Sequence, residues 1–339
     1  MDIHCIDMNR LCKFSLTLLT ATVTTCSCST ASDEPKPDGG KIDLAVPCKG
    51  VAFADPFVLL DGDTYYAYGT YNDDGITCFS STELKNWKKE CVALSKDNSY
   101  ADHWFWAPEV YKVGNRYLMF YSADEHTCIA ESNSPIGPFR QRKQVPLITT
   151  EKTIDSTLFT DDDGTHYIYF CRFNTVTNGE NVWCAKFDTD NLTYDPETLT
   201  LCIRPDDEAW VYEMVNEGTA VVKHGDTYYL TYSGNGYMSP NYGIGYATAK
   251  SPMGPWKKYS GNPFFFQPTT QKWGRLEGIG HHAFFKDKEG KDRIVFHAHN
   301  KPGTVHPRQM YFSTYSFTDD PEPVMQISTS DITKALTND

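Results

Sequence analysis

The 339-residue sequence predicts an all-β fold, a single five-bladed β-propeller, on three observations. A glycine turn followed by an aromatic strand recurs five times along the chain. No long stretch carries sustained helical periodicity. Alternating aromatic and aliphatic runs are broken by Gly, Asp and Asn turns every ten residues or so, which is a strand pattern. The phrase reads Gly62-Asp63-Thr64-Tyr65-Tyr66-Ala67-Tyr68, then Gly114-Asn115-Arg116-Tyr117-Leu118-Met119-Phe120. It returns at Gly164-Thr165-His166-Tyr167-Ile168-Tyr169-Phe170 and at Gly225-Asp226-Thr227-Tyr228-Tyr229-Leu230, with a fainter copy at Gly290-Lys291-Asp292-Arg293-Ile294-Val295-Phe296. The glycines are 52, 50, 61 and 65 residues apart. A repeat of roughly 40 to 50 residues or somewhat more marks a radial β-array. A two-sheet sandwich, the rival architecture, does not explain so long a period.

Taken in chain order, the first element is a leader. Arg10 and Lys13 precede a short, mainly apolar run from Phe14 to Thr25, too short to span a membrane. Cys26 follows at once, with Cys28 close behind, so residues 1–25 are expected to form a signal peptide of the bacterial lipoprotein type. Ordinary secretion is the alternative, and either cysteine could carry the lipid. A lipid would tether the protein at the cell envelope without making it span the membrane. Residues 26–41 read as a flexible linker and residues 42–339 as the propeller. Within each unit the order is strand, Gly turn, aromatic strand, short strand, polar turn ending in an aromatic residue, last strand. The polar turns are Ser80-Ser81-Thr82-Glu83-Leu84-Lys85-Asn86-Trp87, Ser134-Pro135-Ile136-Gly137-Pro138-Phe139 and Ser251-Pro252-Met253-Gly254-Pro255-Trp256. The tail from about Ile327 is short and polar, with no second domain.

Composition narrows the partners. A net charge of −13 repels nucleic-acid phosphates and anionic membrane surfaces. A neutral partner such as a sugar fits, and 14% aromatic residues supply stacking surfaces. Four of the 11 cysteines fall in the leader, and the other seven are scattered. Cys78 with Cys91, or Cys171 with Cys184, have hairpin-like separation, but buried small hydrophobes are the expected state. No Cys/His spacing suggests zinc.

Three carboxylates stand ahead of the aromatic phrases: Asp55 seven residues before Gly62, Asp155 nine before Gly164, and Glu217 eight before Gly225. Near-equivalent offsets on different innermost strands aim all three into one axial funnel. Each lies in an apolar run, where an unpartnered carboxylate costs several kcal/mol of desolvation. Glycosidic hydrolysis uses such a set: one acid protonated for the leaving oxygen, one ionised to activate water, and a third to tune the first.

Ala54-Asp55-Pro56-Phe57, Trp106-Ala107-Pro108-Glu109-Val110, Ile154-Asp155-Ser156-Thr157-Leu158-Phe159, Glu217-Gly218-Thr219 and Gly278-Ile279-Gly280-His281-His282 together resemble glycoside hydrolase family 43, over about residues 50 to 320. The resemblance implies a five-bladed propeller and hydrolysis with inversion. It implies Asp55 as general base, Glu217 as general acid and Asp155 as the residue that tunes and orients the acid. Inversion further implies a base-to-acid separation of roughly 6.5–9.5 Å. Ser156 and Thr219 replace prolines that the family often carries, so the pocket shape is expected to differ. Glu213 is near enough to rival Glu217, which is preferred because Gly218 follows it. His281 matches an axial histidine, implying a structural calcium or sodium ion; no cofactor is expected for the chemistry. Arg308 resembles a pocket-floor arginine, and Trp106, Trp104 and Glu109 are substrate-binding candidates.

The leading expectation is an exported, monomeric exo-α-L-arabinofuranosidase acting on plant-type polysaccharide side chains. A β-xylosidase or a galactan- or galactofuranoside-directed hydrolase is the near alternative. A non-catalytic carbohydrate-binding propeller is the alternative of another class.

Overall fold

The computed structural model describes residues 49–174, 179–205 and 215–338. The leader, the linker, both candidate lipidation cysteines and Glu213 lie outside the described residues, as do the first residues of the expected propeller.

Five antiparallel sheets radiate from a common axis. The first blade runs outward through Ala54–Asp61, Thr64–Asn72, Gly75–Ser81 and Asn86–Ser95. The second has Trp106–Val113, Arg116–Ala123 and His126–Ser132, its fourth strand reduced to a bridge between Glu131 and Arg140. The third has Thr153–Thr160, His166–Asn174 and Gly179–Asp188, with two short outer strands. The fourth has Asn216–His224, Thr227–Gly234, Gly243–Ala249 and Lys257–Lys258, and the fifth Gly280–Lys286, Asp292–Ala298, Gln309–Phe317 and Met325–Ile327. The first-listed strand of each blade packs against its counterparts on both sides, so the inner strands form a closed ring.

The repeated tyrosines explain how neighbouring blades hold together. A buried apolar seam between flat sheets has no directional preference, and hydroxyl contacts supply one. Tyr117 of the second blade donates to Asp61 in the turn of the first (2.6 Å), and Tyr228 of the fourth donates to Asp161 in the turn of the third (2.6 Å). Tyr65 of the first blade accepts from the backbone N–H of Lys288 in the turn of the fifth (2.9 Å). Deeper tyrosines reach the proline turns of the following blade: Tyr68 to the Pro135 carbonyl, Tyr169 to that of Pro252 (2.6 Å) and Tyr229 to that of Pro323 (2.6 Å). Each such bond contributes about 1 kcal/mol net, and the set fixes the rotation of one blade against the next.

A bulge near the start of every innermost strand matters most for function. The register shifts between Ala54 and Phe57, Trp106 and Glu109, Ile154 and Thr157, Glu217 and Ala220, and Gly280 and Ala283. The first bulged residue is left-handed in all five: Asp55 (φ 51°), Ala107 (φ 45°), Asp155 (φ 56°), Gly218 (φ 56°) and His281 (φ 42°). Such a backbone costs a non-glycine residue roughly 1–2 kcal/mol. Four of the five bulge N–H groups are satisfied from the second strand of the preceding blade. Ala107 donates to Thr70 (3.0 Å), Asp155 to Ser122 (3.2 Å), His281 to Ser233 (2.7 Å) and Asp55 to His297 Nδ1 (3.2 Å). In the third blade the equivalent position is Cys171, and the N–H of Gly218 goes instead to the Asp155 carboxylate (3.2 Å).

The tail is more than a polar end. Leu336–Thr337 pairs in parallel with the outer strand of the first blade and also with Lys49–Gly50, so the ring is closed on the first blade. Ala335 is buried in the cluster of the first blade, Ile332 in that of the fourth and fifth, and Thr333–Lys334 pairs with Tyr311 and Phe312 of the fifth. None of the six described cysteines is in a disulfide. Cys78 lies opposite Cys91 as expected, but Cys171 does not face Cys184. Cys171 pairs with Val182 and Cys184 with Tyr169, because those two strands run two residues out of the required register.

Deleting residues 331–339 removes the Ile332 anchor and the closing strand, a loss of about 3 kcal/mol or more from apolar burial and backbone pairing. The thermal midpoint is expected to fall by at least about 5 °C. An unchanged melting curve would show that the tail does not close the ring.

Candidate active site

The bulges set three of the four key side chains at one height around the axis. Asp55, Asp155 and His281 occupy the left-handed position itself, which turns their side chains toward the mouth of the funnel. Glu217 sits one residue before that position, and Gly218 takes its place in the bulge. Asp55, Asp155, Glu217 and His281 line one cavity of about 350 Å³, with Thr70, Trp106, Glu125, Phe173, Tyr237 and Arg308 among its other walls.

Each carboxylate has a different environment. Asp55 is the most heavily partnered. Arg308 Nη1 donates to its Oδ1 (2.8 Å), Thr70 donates to its Oδ2 (2.6 Å), and His281 Nδ1 lies 3.3 Å from Oδ1. Burial opposes its ionisation, but Arg308, His281 and His297 outweigh burial and hold its pKa well below the usual carboxylate range. Thr70 accepts the Ala107 N–H while donating to Asp55, so its hydroxyl has one orientation.

Asp155 has the opposite balance. Burial and the nearby charges of Glu217 and Asp55 push it up to about 7, against the pull of His281. Its Oδ2 accepts the N–H of Gly218, which grips the peptide that follows Glu217. Glu217 accepts from Tyr242 (2.7 Å), a buried residue stacked on His297 at 5.6 Å. Tyr242 fits because residue 280 is glycine: a Cβ there would stand 2.3 Å from its ring. A Cβ on Gly218 would likewise meet His281 Cγ at 2.9 Å.

Burial works against protonating His281, but Asp55, Asp155 and Glu217 surround it and raise its pKa. His297 and His282 are pushed down to about 3, chiefly by burial, and stay neutral. His281 presents its Nδ1 to two aspartates, Asp55 at 3.3 Å and Asp155 at 3.8 Å. Calcium takes six to eight oxygen ligands. Among the described residues no group of three or more His, Cys, Asp or Glu side chains could hold a metal ion. An ion at the site implied by His281 would therefore take most of its ligands from backbone carbonyls and water.

The other sequence candidates divide. Trp106 and Arg308 line the cavity. Trp104 is outside it, exposed, and stacked on Trp106 at 5.8 Å. Glu109 is not a wall of the cavity. It is buried between the second and third blades, where Tyr111 donates to it, and burial pushes it up to about 7. Its place in the strand, two residues past the bulge, points it below the floor.

Thr70, His297, Tyr242, Glu125, Phe173 and Tyr237 escaped the sequence reading. Thr70 had a readable signal, since Thr70, Ser122 and Ser233 each stand eight residues after a turn glycine. Tyr242 and Glu125 lie in connections outside the repeated phrase.

Comparison with known proteins settles the class. The model for glycosyl hydrolases family 43 matches residues 46–323. The chain belongs to this family. It is a glycosidase, which sets aside the non-catalytic propeller. Its fold overlays an endo-1,4-beta-xylanase from Bacteroides thetaiotaomicron with TM-score 0.79 and 41% identity, covering 87% of this chain and 100% of that one. A β-D-galactofuranosidase of Aspergillus niger is 28% identical over 72% of this chain and 73% of its own length. An extracellular exo-α-(1→5)-L-arabinofuranosidase of Streptomyces avermitilis is 25% identical over 73% of this chain and 54% of its own.

The raised pKa of Asp155 carries a stability consequence. The folded group binds its proton up to about pH 7, whereas the unfolded one releases it near 4. The wild type is therefore expected to lose stability relative to Asp155→Asn as pH rises from about 4 to 7. Parallel denaturation curves across that range would refute it.

Proposed function

We propose that the protein hydrolyses the bond of a terminal α-L-arabinofuranosyl residue with inversion, Asp55 acting as base and Glu217 as acid. The observation that carries this reading is the unequal treatment of carboxylates lining one cavity. Asp55 is held ionised by Arg308 and His281, as a base must be. Glu217 has one neutral hydrogen-bond partner, Tyr242, and no cation paired with it among the described residues.

In the proposed step, Asp55 takes a proton from water as the water oxygen forms a bond to the anomeric carbon. The bond from that carbon to the leaving oxygen breaks, and the leaving oxygen receives the proton of Glu217. Attack and departure on opposite faces invert the centre. Asp155 acts as a positioning residue through its hold on the Gly218 N–H. Arg308 stands over the Tyr237 ring (4.4 Å) and sets the Asp55 carboxylate while forming part of the cavity wall. The arabinofuranosyl preference draws on the arabinofuranosidases among the relatives. A β-xylosyl substrate is the second reading, favoured by the 41% identity to a protein named as a xylanase. Export draws on relatives described as extracellular, and a lipid anchor at Cys26 or Cys28 rests on the leader sequence alone.

Glu217→Gln and Asp55→Asn are each expected to lower kcat by about 10²–10⁴ on a panel of nitrophenyl glycosides, with folding intact. NMR of the wild-type reaction should show the first-formed sugar with the anomer opposite to the substrate. Retention, or near-normal rates in either variant, would overturn the assignment. Arg308→Ala frees Asp55 from its strongest cation, so the acidic limb of the kcat/KM profile should move to higher pH. An acidic limb that stays put would remove Asp55 from the role of base.

A further inference from the structure

The cavity has an anionic wall that the reaction does not use. Glu125 occupies the tip of the hairpin between Arg116–Ala123 and His126–Ser132, with Asp124 and Glu125 both left-handed (φ 47° and 58°). Its carbonyl accepts the N–H of Thr153, two residues before Asp155 (3.1 Å). Lys152 pairs with its Oε2, leaving Oε1 as an acceptor on a residue that lines the cavity. Height decides what this oxygen can meet. Ser122, on the same hairpin, binds the Asp155 N–H and is level with the bulges. The tip is two residue steps further out, about 7 Å at the rise of a strand. A sugar seated against Asp55 and Glu217 lies at the floor, so Glu125 faces whatever is joined to it.

The neighbouring surface suits the same ligand. Trp106 lines the cavity, and Trp104, outside it, lies against Trp106 with the two rings stacked at 5.8 Å and 15°. Trp104 is 44% exposed and left-handed (φ 55°), a costly backbone for a bulky residue. It is held there by His103, whose ring meets the indole edge-on and pairs with Asp102 (2.8 Å) and with Asp124 of the Glu125 turn (3.3 Å). Aromatic faces suit the apolar face of a sugar ring, and a carboxylate oxygen accepts a sugar hydroxyl.

Resting on the glycosidase reading above, we propose that Glu125 and Trp106, the latter backed by Trp104, form a second subsite at the cavity mouth. It takes a neutral sugar unit joined to the one being cleaved. The carboxylate accepts a hydroxyl from that unit, and its charge disfavours a uronic acid in the same place. The substrate is accordingly an oligosaccharide of at least two units rather than an isolated terminal sugar on an arbitrary aglycone.

Calorimetric binding to the Glu217→Gln protein tests this without turnover, using α-1,5-linked arabinotriose, β-1,4-linked xylotriose and the two monosaccharides. One trisaccharide should bind at least tenfold tighter than its monosaccharide. Adding Glu125→Ala should weaken that trisaccharide about tenfold and the monosaccharide by a smaller factor. Glu125→Gln, which keeps an acceptor oxygen, should recover most of the loss, and Trp104→Ala should act in the same direction as Glu125→Ala. The proposal is overturned if neither trisaccharide outbinds its monosaccharide, or if Glu125→Ala weakens both ligands equally or neither. Trisaccharide binding that depends on Glu125, in a wild-type protein that cleaves none of the glycosides, would sink the reaction reading and leave the subsite standing.

Discussion

The left-handed bulge at the start of each innermost strand governs the site. A regular strand sends successive side chains to opposite faces, so it cannot turn a carboxylate squarely toward the axis mouth and keep its own ladder intact. The extra residue re-aims Asp55, Asp155 and His281, and the freed N–H groups find partners on the preceding blade. Aim and blade-to-blade registration therefore come from the same peptide groups. The fourth blade departs from the pattern in a telling way. With Cys171 where its neighbours carry a hydroxyl or imidazole, the Gly218 N–H turns to Asp155, linking two carboxyl residues of the cavity through the backbone.

Electrostatic differences among the acids follow from who stands beside them. Asp55 and Asp155 have the same chemistry, similar burial and the same backbone conformation, yet one is held ionised and the other keeps its proton to about pH 7. The difference traces to Arg308, which bonds Asp55 at 2.8 Å and has no such contact with Asp155. His281, 3.3 Å from one and 3.8 Å from the other, adds to the bias. Glycine has a structural part as well. Gly280 admits Tyr242 to Glu217, and Gly218 admits the His281 ring, so two missing side chains shape the surroundings of Glu217.

Much of this was legible in the residues. The glycine-aromatic phrase carried the blade count, and the carboxylates ahead of it pointed to a shared hollow. Local pattern failed where long-range geometry decides. Glu109 looked like a pocket residue because Trp106 is, but two steps past a bulge its side chain points below the floor and into a seam. His281 read as an axial histidine, but no spacing announced that its Nδ1 faces two aspartates. Cys171 and Cys184 had the right separation but the wrong register. Tyr242 and Glu125 sit in connections whose placement depends on the assembled ring, and no spacing announces them. The tail read only as short and polar because its few apolar residues make sense only against the assembled fifth and first blades.

Arg308 lies 253 residues after Asp55, and the strand that seals the circle comes later still. During synthesis, the first carboxylate emerges long before the guanidinium that keeps it charged. A nascent or prematurely terminated chain holds that aspartate without its counterion, facing an incomplete wheel. Competence thus arrives all at once, with the last blade, and no autonomous fragment of this polypeptide inherits it.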